Sequence, residues 1–429
     1  MKILMFTNTF PPHVGGVAHS VASFMEDYRR LGHRVLVVAP IFPGTPAKEK
    51  GIVRIPAIQN FNGSDFSVRL PIPSFLFPKL DGFEPDVIHS HHPFLLGDTA
   101  LRVAAWKKAP LVFTHHTMYE RYTHYVPGDS PQMKRFVKEL STGYANLSDA
   151  VIAPSESIAE ILRGRGVETP ITEIPTGVDL SEFEKGDGEW FRRRHGIPED
   201  AFVVGHLGRL APEKNLVFLA RAMNRFLKRD PTAHAVIAGS GPIQEELKRI
   251  FAKGGNSGRC HLIGTVLPAD RTHAYHAMNV FAFASQTETQ GMVLTEAQAA
   301  GVPLVAVDAP GVREVVRDRE NGRLLTREDT EAFARAIAWI KNSGTDRAKE
   351  LKKAAGETAR RFSRERSAQT ALKLYRILSR YGREEREVAD SAWWTALNLV
   401  EAEWEVWANR AQATRAALSE NPKPDKVGV

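Results

Sequence analysis

The sequence has one cysteine and no long apolar run, and these scarcities exclude several classes of protein. Among 429 residues only Cys260 carries a thiol, so no internal disulfide can form, which is typical of a cytosolic protein. No stretch approaches the roughly 20 apolar residues that a membrane-spanning helix needs. No Cys/His spacing matches a zinc site, and no Asp-x-Asp pair is present to hold a metal–nucleotide complex.

The chain opens directly on an apolar segment, Met1–Thr7, which predicts a strand and not a signal peptide, so we expect a cytoplasmic protein. The net charge of +7 is uneven, because residues 341–386 contain 14 Lys/Arg and 6 Asp/Glu. No nucleic-acid motif accompanies this charge, so we expect no nucleic-acid partner. It indicates either a flank that faces an anionic membrane or a nucleotide diphosphate, or a solvated helix surface.

Apolar strand patterns alternate with amphipathic helix patterns in two successive runs. The first run covers residues 1–180 and the second residues 190–360, with the polar, glycine-containing segment Ser181–Glu189 between them. Repeated βα units of this kind predict an α/β fold with two doubly wound domains, each built on a parallel sheet. Residues 361–383 predict a closing helix that returns to the first domain.

Residues 384–429 predict a helical extension and then a flexible tail. Five large apolar residues recur there at helical spacings of four, three, four and three: Trp393, Leu397, Val400, Trp404 and Trp407. Other faces of the same helix carry three glutamates, Glu401, Glu403 and Glu405, which do not suit an anionic membrane. We therefore expect this stripe to pack against the body of the protein or against a second subunit, as a homo-oligomer.

The segment Glu288–Glu296 places two carboxylates at the start of a predicted helix, separated by seven residues. Because the strand-like run 280–284 precedes them, Glu288 is expected on the loop at its carboxyl end. Open α/β sheets bind ligands beyond these strand ends, and the N–H groups at a helix start suit a phosphate. Two acceptor-only carboxylates beside it suit a hydroxyl-rich ligand such as a sugar nucleotide. Alternatively, both glutamates are simply solvated.

Two glycine-containing loops lie at matching places in the two runs. Gly15 and Gly16 stand between the first strand and the first helix, where glycine lets backbone N–H groups approach a phosphate. In the second run, Arg209 and Lys214 follow Gly208 and precede a helix. Two cations at that position can neutralise a diphosphate leaving group without a metal ion. A tight turn and a charged surface loop are the alternative readings.

Histidines follow two apolar strands of the first run, at His89, His91 and His92 and again at His115 and His116. No carboxylate or cysteine completes a zinc spacing, so a hydrogen-bonding or proton-handling role fits better than a metal site.

Taken in order, these motifs resemble the retaining nucleotide-sugar glycosyltransferases of family 4. The matching segments are Gly15-Gly16, Asp86…His89-x-His91, His116, Pro175–Asp179, Gly208–Lys214 and the Glu-x7-Glu pair. The resemblance runs from Met1 to about Tyr381. It implies the GT-B fold, in which two Rossmann-like domains face each other.

The resemblance also implies roles for individual residues. Gly16 would contact the donor phosphate, Arg209 and Lys214 would hold the diphosphate, and His116 would lie beside the donor sugar. Glu288 would accept hydrogen bonds from the sugar hydroxyls, and Glu296 would bind the ribose. Backbone contacts to sugar and phosphate would come from the start of the helix, at Gly291, Met292, Val293 and Leu294. No metal or other cofactor is expected.

A finer resemblance concerns the acceptor. The segment Thr114–Tyr125 and the form Glu288-Thr-Gln-Gly291 are similar to bacterial diacylglycerol α-glucosyltransferases. The resemblance implies transfer of a hexose, glucose above all, from a UDP-sugar to diacylglycerol by a peripheral protein at the inner face of the cell membrane. The apolar stretch Ser67–Leu80 is a candidate for lipid contact, or alternatively it packs beneath a loop. Alternatives are a soluble sugar or small-alcohol acceptor, a GDP-sugar donor, or a non-catalytic assembly protein that binds sugar nucleotides.

Overall fold

The computed structural model describes residues 1–56, 73–123, 129–388 and 392–419, and the side chains of all of these except 73–75 and 381–397. The chain forms two compact units. The first consists of Met1–Pro175 and Ser367–Val429, and the second is Thr176–Arg366. Of the predicted lipid-contact segment Ser67–Leu80, residues 67–72 lie outside the described residues. In the described part, Leu76 and Leu80 are fully buried in the core of the first unit.

The first unit is built on a parallel sheet of seven strands in the order β3-β2-β1-β4-β5-β6-β7. The strands are β1 Lys2–Phe6, β2 Arg34–Pro40, β3 Ile52–Ile55, β4 Val87–Ser90, β5 Leu111–Thr114, β6 Ala150–Ala153 and β7 Ile171–Glu173. The helices of this unit that precede the second unit in the chain are α1 Gly16–Arg30, α2 Pro73–Leu80, α3 Leu96–Lys107, α4 Pro131–Asn146 and α5 Glu156–Gly164. The order reverses direction between β1 and β4, which is the doubly wound arrangement.

Strand β1, in the interior of this sheet, is buried on both faces, as an apolar run predicts. In β1, Leu4 and Phe6 pack into one core cluster, whereas Ile3 and Met5 pack into the other, and all four are fully buried. Because successive strand side chains point to opposite faces, a continuous apolar run requires helices on both sides of the sheet.

The second unit repeats this design with six parallel strands in the order β10-β9-β8-β11-β12-β13. The strands are β8 Phe202–Leu207, β9 Ala233–Ala238, β10 Cys260–Gly264, β11 Val280–Phe283, β12 Leu304–Val307 and β13 Gly322–Leu325. Its helices are α6 Leu180–Phe183, α7 Gly188–Arg194, α8 Leu216–Arg229, α9 Gln244–Lys253, α10 Pro268–His276, α11 Met292–Ala299, α12 Thr330–Lys341 and α13 Gly344–Arg361. Two doubly wound parallel sheets confirm the α/β fold that the sequence predicts.

Two long helices complete the chain. Helix α14 spans Arg364–Val388 and enters the first unit at Ser367, where Tyr375 is fully buried. Helix α15 spans Ala392–Leu418 and packs against α3 and α4 of that unit. Within the described part of the chain, no helix is both long and apolar enough to cross a membrane.

Helix α15 packs through a different face from the one that the sequence pattern favours. The side chains that it buries are small: Ala402, Val406, Ala413 and Ala417. Val400, Trp404 and Trp407 are 67%, 74% and 62% exposed, so the expectation that they pack against the body is wrong. The side chains of Trp393 and Leu397 lie outside the described residues.

Helix α15 packs through its small residues because they let its backbone approach that of α4 closely. A Cβ atom added to Gly143 of α4 would lie 1.9 Å from Asn409 Oδ1 of α15. Indole rings at this interface would hold the helices apart.

Candidate active site

The second unit brings Lys214 and Glu288 together as an ion pair. Lys214 Nζ lies 2.5 Å from Glu288 Oε1, and the two side chains are only 22% and 17% exposed. Burial alone would raise the pKa of Glu288, but the Lys214 ammonium outweighs that effect and holds it below its ordinary value. Glu288 is therefore an ionised acceptor at neutral pH, and Lys214 is a partly buried cation.

Loops at the carboxyl ends of adjacent strands β8 and β11 supply this pair. Residues Pro212–Lys214 form a 3₁₀ turn, and Asn215 follows in the left-handed conformation with φ of 54°. The Asn215 side-chain amide donates to the Ala284 carbonyl oxygen at 3.3 Å, which connects the lysine loop to the glutamate loop. Arg209 lies on the same loop as Lys214 and is exposed.

Helix α11 begins immediately after the Glu288 loop. Gly291 has φ of 68°, which a residue with a side chain rarely adopts, and its turn starts the helix at Met292. The Leu294 N–H donates to the Gly291 carbonyl oxygen at 2.8 Å. The predicted backbone contacts at Met292, Val293 and Leu294 therefore form the first turn of α11, where the Leu294 N–H is already used within the chain.

Glu296 lies in the second turn of α11 and is 5% exposed. Tyr275 OH donates to its Oε2 at 2.7 Å, and Arg271 Nη1 lies 3.2 Å from its Oε1. Burial raises the pKa of Glu296, and Arg271 and Tyr275 offset only part of that rise. The two glutamates of the motif thus differ, because Glu288 is held charged by a lysine and Glu296 is buried with its charge partly disfavoured.

Gln290, between the two glutamates, is 3% exposed and forms two hydrogen bonds with one residue. Its Oε1 accepts from the Thr176 N–H at 2.5 Å, and its Nε2 donates to the Thr176 carbonyl oxygen at 2.6 Å. A Cβ atom added to Gly311 would lie 2.6 Å from the Gln290 backbone nitrogen, so a third segment packs closely behind this loop. Gln290 therefore fixes the Glu288 loop to the segment where the chain enters the second unit.

In the first unit His89 lies in β4, while the other predicted histidines follow β4 or β5, and all five are buried. His116 Nε2 and His91 Nδ1 are 2.9 Å apart, so one ring donates to the other. Burial, reinforced by the neighbouring imidazoles, lowers the pKa of His91 and of His116 well below the ordinary value. His116 is accordingly a neutral imidazole oriented by a second one.

A neighbouring chain of hydrogen bonds connects the histidines to α14. Tyr28 OH and Tyr375 OH are 3.0 Å apart, and Tyr375 OH lies 2.7 Å from His89 Nδ1. His89 Nε2 is 2.6 Å from the Thr114 hydroxyl, and burial lowers the pKa of His89 to about 3. His89 therefore has a structural role between β4, β5 and α14.

Gly16 is the first residue of α1, and the extended Gly15 precedes it without a side-chain cap. A Cβ atom added to Gly16 would meet nothing within 4 Å. The space beside this helix start is open, as a contact with an external group requires.

Sequence reasoning missed Tyr275 and Arg271, which hold Glu296, and it missed His206 of β8. His206 is 2% exposed, its Nδ1 donates to the Ala282 carbonyl oxygen at 3.0 Å, and no group in the described residues bonds its Nε2. Burial lowers its pKa to about 4. The sequence offered one indication of His206: a histidine stands inside an apolar strand, two residues before Gly208-Arg209.

Among the described residues, no cluster of three or more histidine, cysteine or acidic side chains could hold a metal ion. The paired strand-end histidines bond to one another and to hydroxyl groups instead.

Comparison with known proteins agrees with this geometry. Residues 14–182 match the family described as Glycosyltransferase Family 4, and residues 188–362 match Glycosyl transferases group 1. The chain is 29% identical over 346 residues to an alpha-monoglucosyldiacylglycerol synthase of Streptococcus pneumoniae, covering 79% of this chain and 78% of that protein. It is 30% identical over 344 residues to a GDP-mannose-dependent alpha-mannosyltransferase of Mycolicibacterium smegmatis, covering 79% and 87% respectively.

The fold of this chain also matches the fold of solved structures. The Anabaena protein HepE in complex with UDP-glucose superposes with a TM-score of 0.67 at 22% identity, covering 88% of this chain and 100% of HepE. The two doubly wound units are therefore a GT-B fold, and the chain is a hexosyltransferase that belongs to glycosyltransferase family 4, with a sequence that resembles the glucosyldiacylglycerol synthases.

Proposed function

We propose that this protein transfers glucose from UDP-glucose to diacylglycerol and retains the α configuration. The observation that carries the proposal is the partly buried Lys214–Glu288 pair, 2.5 Å apart, with Arg209 on the same loop as Lys214. A cation beside an ionised carboxylate matches a donor that has a diphosphate at one end and sugar hydroxyls at the other.

The chemistry follows from those charges. As the bond between the sugar C1 and the phosphate oxygen breaks, negative charge grows on the departing UDP, and Arg209 and Lys214 stabilise it. The acceptor hydroxyl oxygen then bonds to C1 on the same face, and its proton passes to a phosphate oxygen of UDP. Retention by this route needs no carboxylate nucleophile.

Other residues position the donor in this scheme. Glu288 accepts from sugar hydroxyls, with Gly291 and Met292 beside it, and Glu296 accepts from the ribose. Val293 contributes a backbone N–H to phosphate at the start of α11, and Gly16 does so at the start of α1. His116, held neutral by burial and oriented by His91, contacts the sugar as a hydrogen-bonding group.

The scheme uses two cationic side chains in place of a metal ion. We therefore expect full activity after treatment with a chelator, in buffer that contains no divalent cation. Loss of turnover that added magnesium or manganese restores would contradict this assignment.

The proposal that the acceptor is diacylglycerol rests on the similarity to the pneumococcal synthase, whose name specifies a glucosyldiacylglycerol product. A lipid acceptor implies a peripheral protein at the inner face of the cell membrane. The second candidate is a GDP-mannose donor, with a lipid or a soluble acceptor, because the mycobacterial mannosyltransferase is equally similar.

One matrix of assays tests the proposal. UDP-glucose and GDP-mannose are each offered with diacylglycerol in mixed micelles and with a soluble sugar or small alcohol. The expected result is turnover with UDP-glucose and diacylglycerol, and an α-linked product by the proton coupling at C1. Turnover only with GDP-mannose or only with soluble acceptors would select the second candidate. A β-linked product would reject the retaining mechanism.

A further inference from the structure

Helix α15 has a second apolar face, and its described side chains are not covered by the first unit. We call it the Trp seam and define it as Trp393, Leu397, Val400, Trp404, Trp407, Ala411, Thr414 and Leu418. Where side chains are described the seam is exposed, with Trp404 at 74%, Trp407 at 62% and Leu418 at 74%. Contiguous apolar surface of this kind marks an interaction site.

The other face of α15 is already occupied, so the helix is a fixed platform for the seam. Glu403 accepts from Arg102 of α3, and Arg410 Nη2 lies 2.5 Å from Asp98 Oδ2. Asn409 donates to the Leu140 carbonyl oxygen of α4 at 3.1 Å. The seam cannot turn inward without breaking these bonds.

The spacing of the seam is that of a coiled coil. Its residues follow one another at intervals of four and three throughout, which gives nearly four heptads with every a and d position on one line. A continuous a/d line over a long helix fits another helix and not a compact pocket.

The distribution of charge along α15 favours a second copy of the same helix as the partner, in antiparallel orientation. Glu403 and Arg410 are paired with the first unit, and of the remaining described charges Glu401 and Glu405 lie in the first half of α15 and Arg415 lies in the second. A second copy of α15 in antiparallel orientation sets each acidic half against a basic half. A parallel copy would set like charges together, and an anionic membrane would meet the acidic half.

We propose that the Trp seam pairs antiparallel with the same seam of a second copy of this chain, to form a two-fold dimer. Trp404 and Trp407 alone would bury about 700 Å² in total over the two copies, if a whole indole side chain contributes roughly 250 Å². This is more than half of the roughly 1,000 Å² that a specific interface needs, and Val400 and Leu418 extend it. The proposal is independent of the donor and acceptor assigned above.

Sedimentation velocity of the full chain at micromolar concentrations is the first test. The wild type should sediment as a dimer, and Trp404→Glu with Trp407→Glu should sediment as a monomer. Gln412→Glu is the matched control, because it adds a charge to an exposed position of α15 outside the seam and should remain dimeric. Circular dichroism should show unchanged helix content in every variant, since the altered side chains are exposed.

A distance measurement tests the orientation. Ser419→Cys in a Cys260→Ser background carries one nitroxide label per chain, near the end of α15. Because a 27-residue helix is about 40 Å long, antiparallel pairing predicts two labels separated by about that distance. Labels separated by less than about half of that length would overturn the antiparallel arrangement. A monomeric wild type, or one that only binds anionic vesicles through the same tryptophans, would overturn the dimer itself.

Discussion

Lys214 Nζ and Glu288 Oε1 lie 2.5 Å apart, although 73 residues separate them in the chain. The pair keeps the Glu288 carboxylate ionised at a partly buried position. Under the proposed function a bound donor would compete for both partners, because its phosphate would attract the lysine and its hydroxyls would attract the glutamate.

The first prediction is that Lys214→Ala lowers kcat by roughly ten- to a thousandfold, as expected for the loss of one charge-stabilising group, and that Arg209→Ala does likewise. Lys228→Ala is the control, since it removes the same charge from an exposed position on the adjacent helix α8. Steady-state kinetics on purified proteins measure the effect. Near-normal turnover in both site variants would remove the diphosphate role from this loop.

The second prediction concerns Glu296, whose pKa is raised by burial. For a raised folded-state pKa, the contribution to stability is fully present below the ordinary Glu value and is lost as the pH rises through the folded value. The stability of Glu296→Gln relative to the wild type should therefore increase with pH across that window. Urea unfolding at a series of pH values measures it.

The same substitution should weaken donor binding by about tenfold or more at neutral pH, because the proposed ribose contact loses its carboxylate acceptor. Titration calorimetry with UDP and with the UDP-sugar should show equal losses, since the ribose is common to both. A loss confined to the UDP-sugar would move Glu296 from the ribose to the sugar. A stability difference that does not vary with pH would contradict the raised pKa.

The third prediction concerns Gln290, which satisfies both backbone groups of Thr176. Gln290→Ala leaves a buried N–H and a buried carbonyl without partners, so it should cost about 2–4 kcal/mol of unfolding free energy. Gln286→Ala is the matched control, because Gln286 is exposed on the same loop and bonds only to Glu328 among the described residues. Equal stabilities of the two variants in urea would show that the Thr176 bonds contribute little.

Much of the fold follows from the spacing of apolar residues. Strong apolar periodicity in the second run predicts a helix over residues 216–229 and another over residues 244–253, and the structure has both helices with these bounds. Short edge strands such as β3 and β13 were not predicted, since four residues at a sheet edge carry little periodic signal.

The site was less accessible to sequence reasoning wherever a contact joins distant segments. The motif singles out Glu288 and Glu296, but nothing local shows that Tyr275 and Arg271 hold one of them or that Gln290 reaches Thr176. In α15 the pattern of large residues was clear, but of the two expected partners the body of the protein is excluded, and packing against a second subunit stays a prediction. Small residues form the close contact with α4, because helices approach most closely where side chains are smallest.

The last prediction tests how α15 is attached to the first unit. Asp98 is buried on α3, with a side chain 9% exposed, and Arg410 supplies its ionic partner. Burial raises the pKa of Asp98, and the Arg410 guanidinium offsets only part of that rise, so the carboxylate depends on this partner to remain charged. Arg410→Ala should therefore destabilise the first unit by about 1–3 kcal/mol at neutral pH, as for loss of a hydrogen bond to a charged group.

Arg415→Ala is the control, since Arg415 is exposed on the same helix and lies five residues further along. Its effect on the free energy of unfolding should stay within about 0.5 kcal/mol. The penalty of Arg410→Ala should shrink as the pH falls, because protonation of Asp98 removes the unpaired buried charge. Urea unfolding at neutral and at acid pH measures both effects. A penalty that is the same at both pH values would indicate that Arg410 contributes packing alone, and that α15 is held by its small apolar side chains.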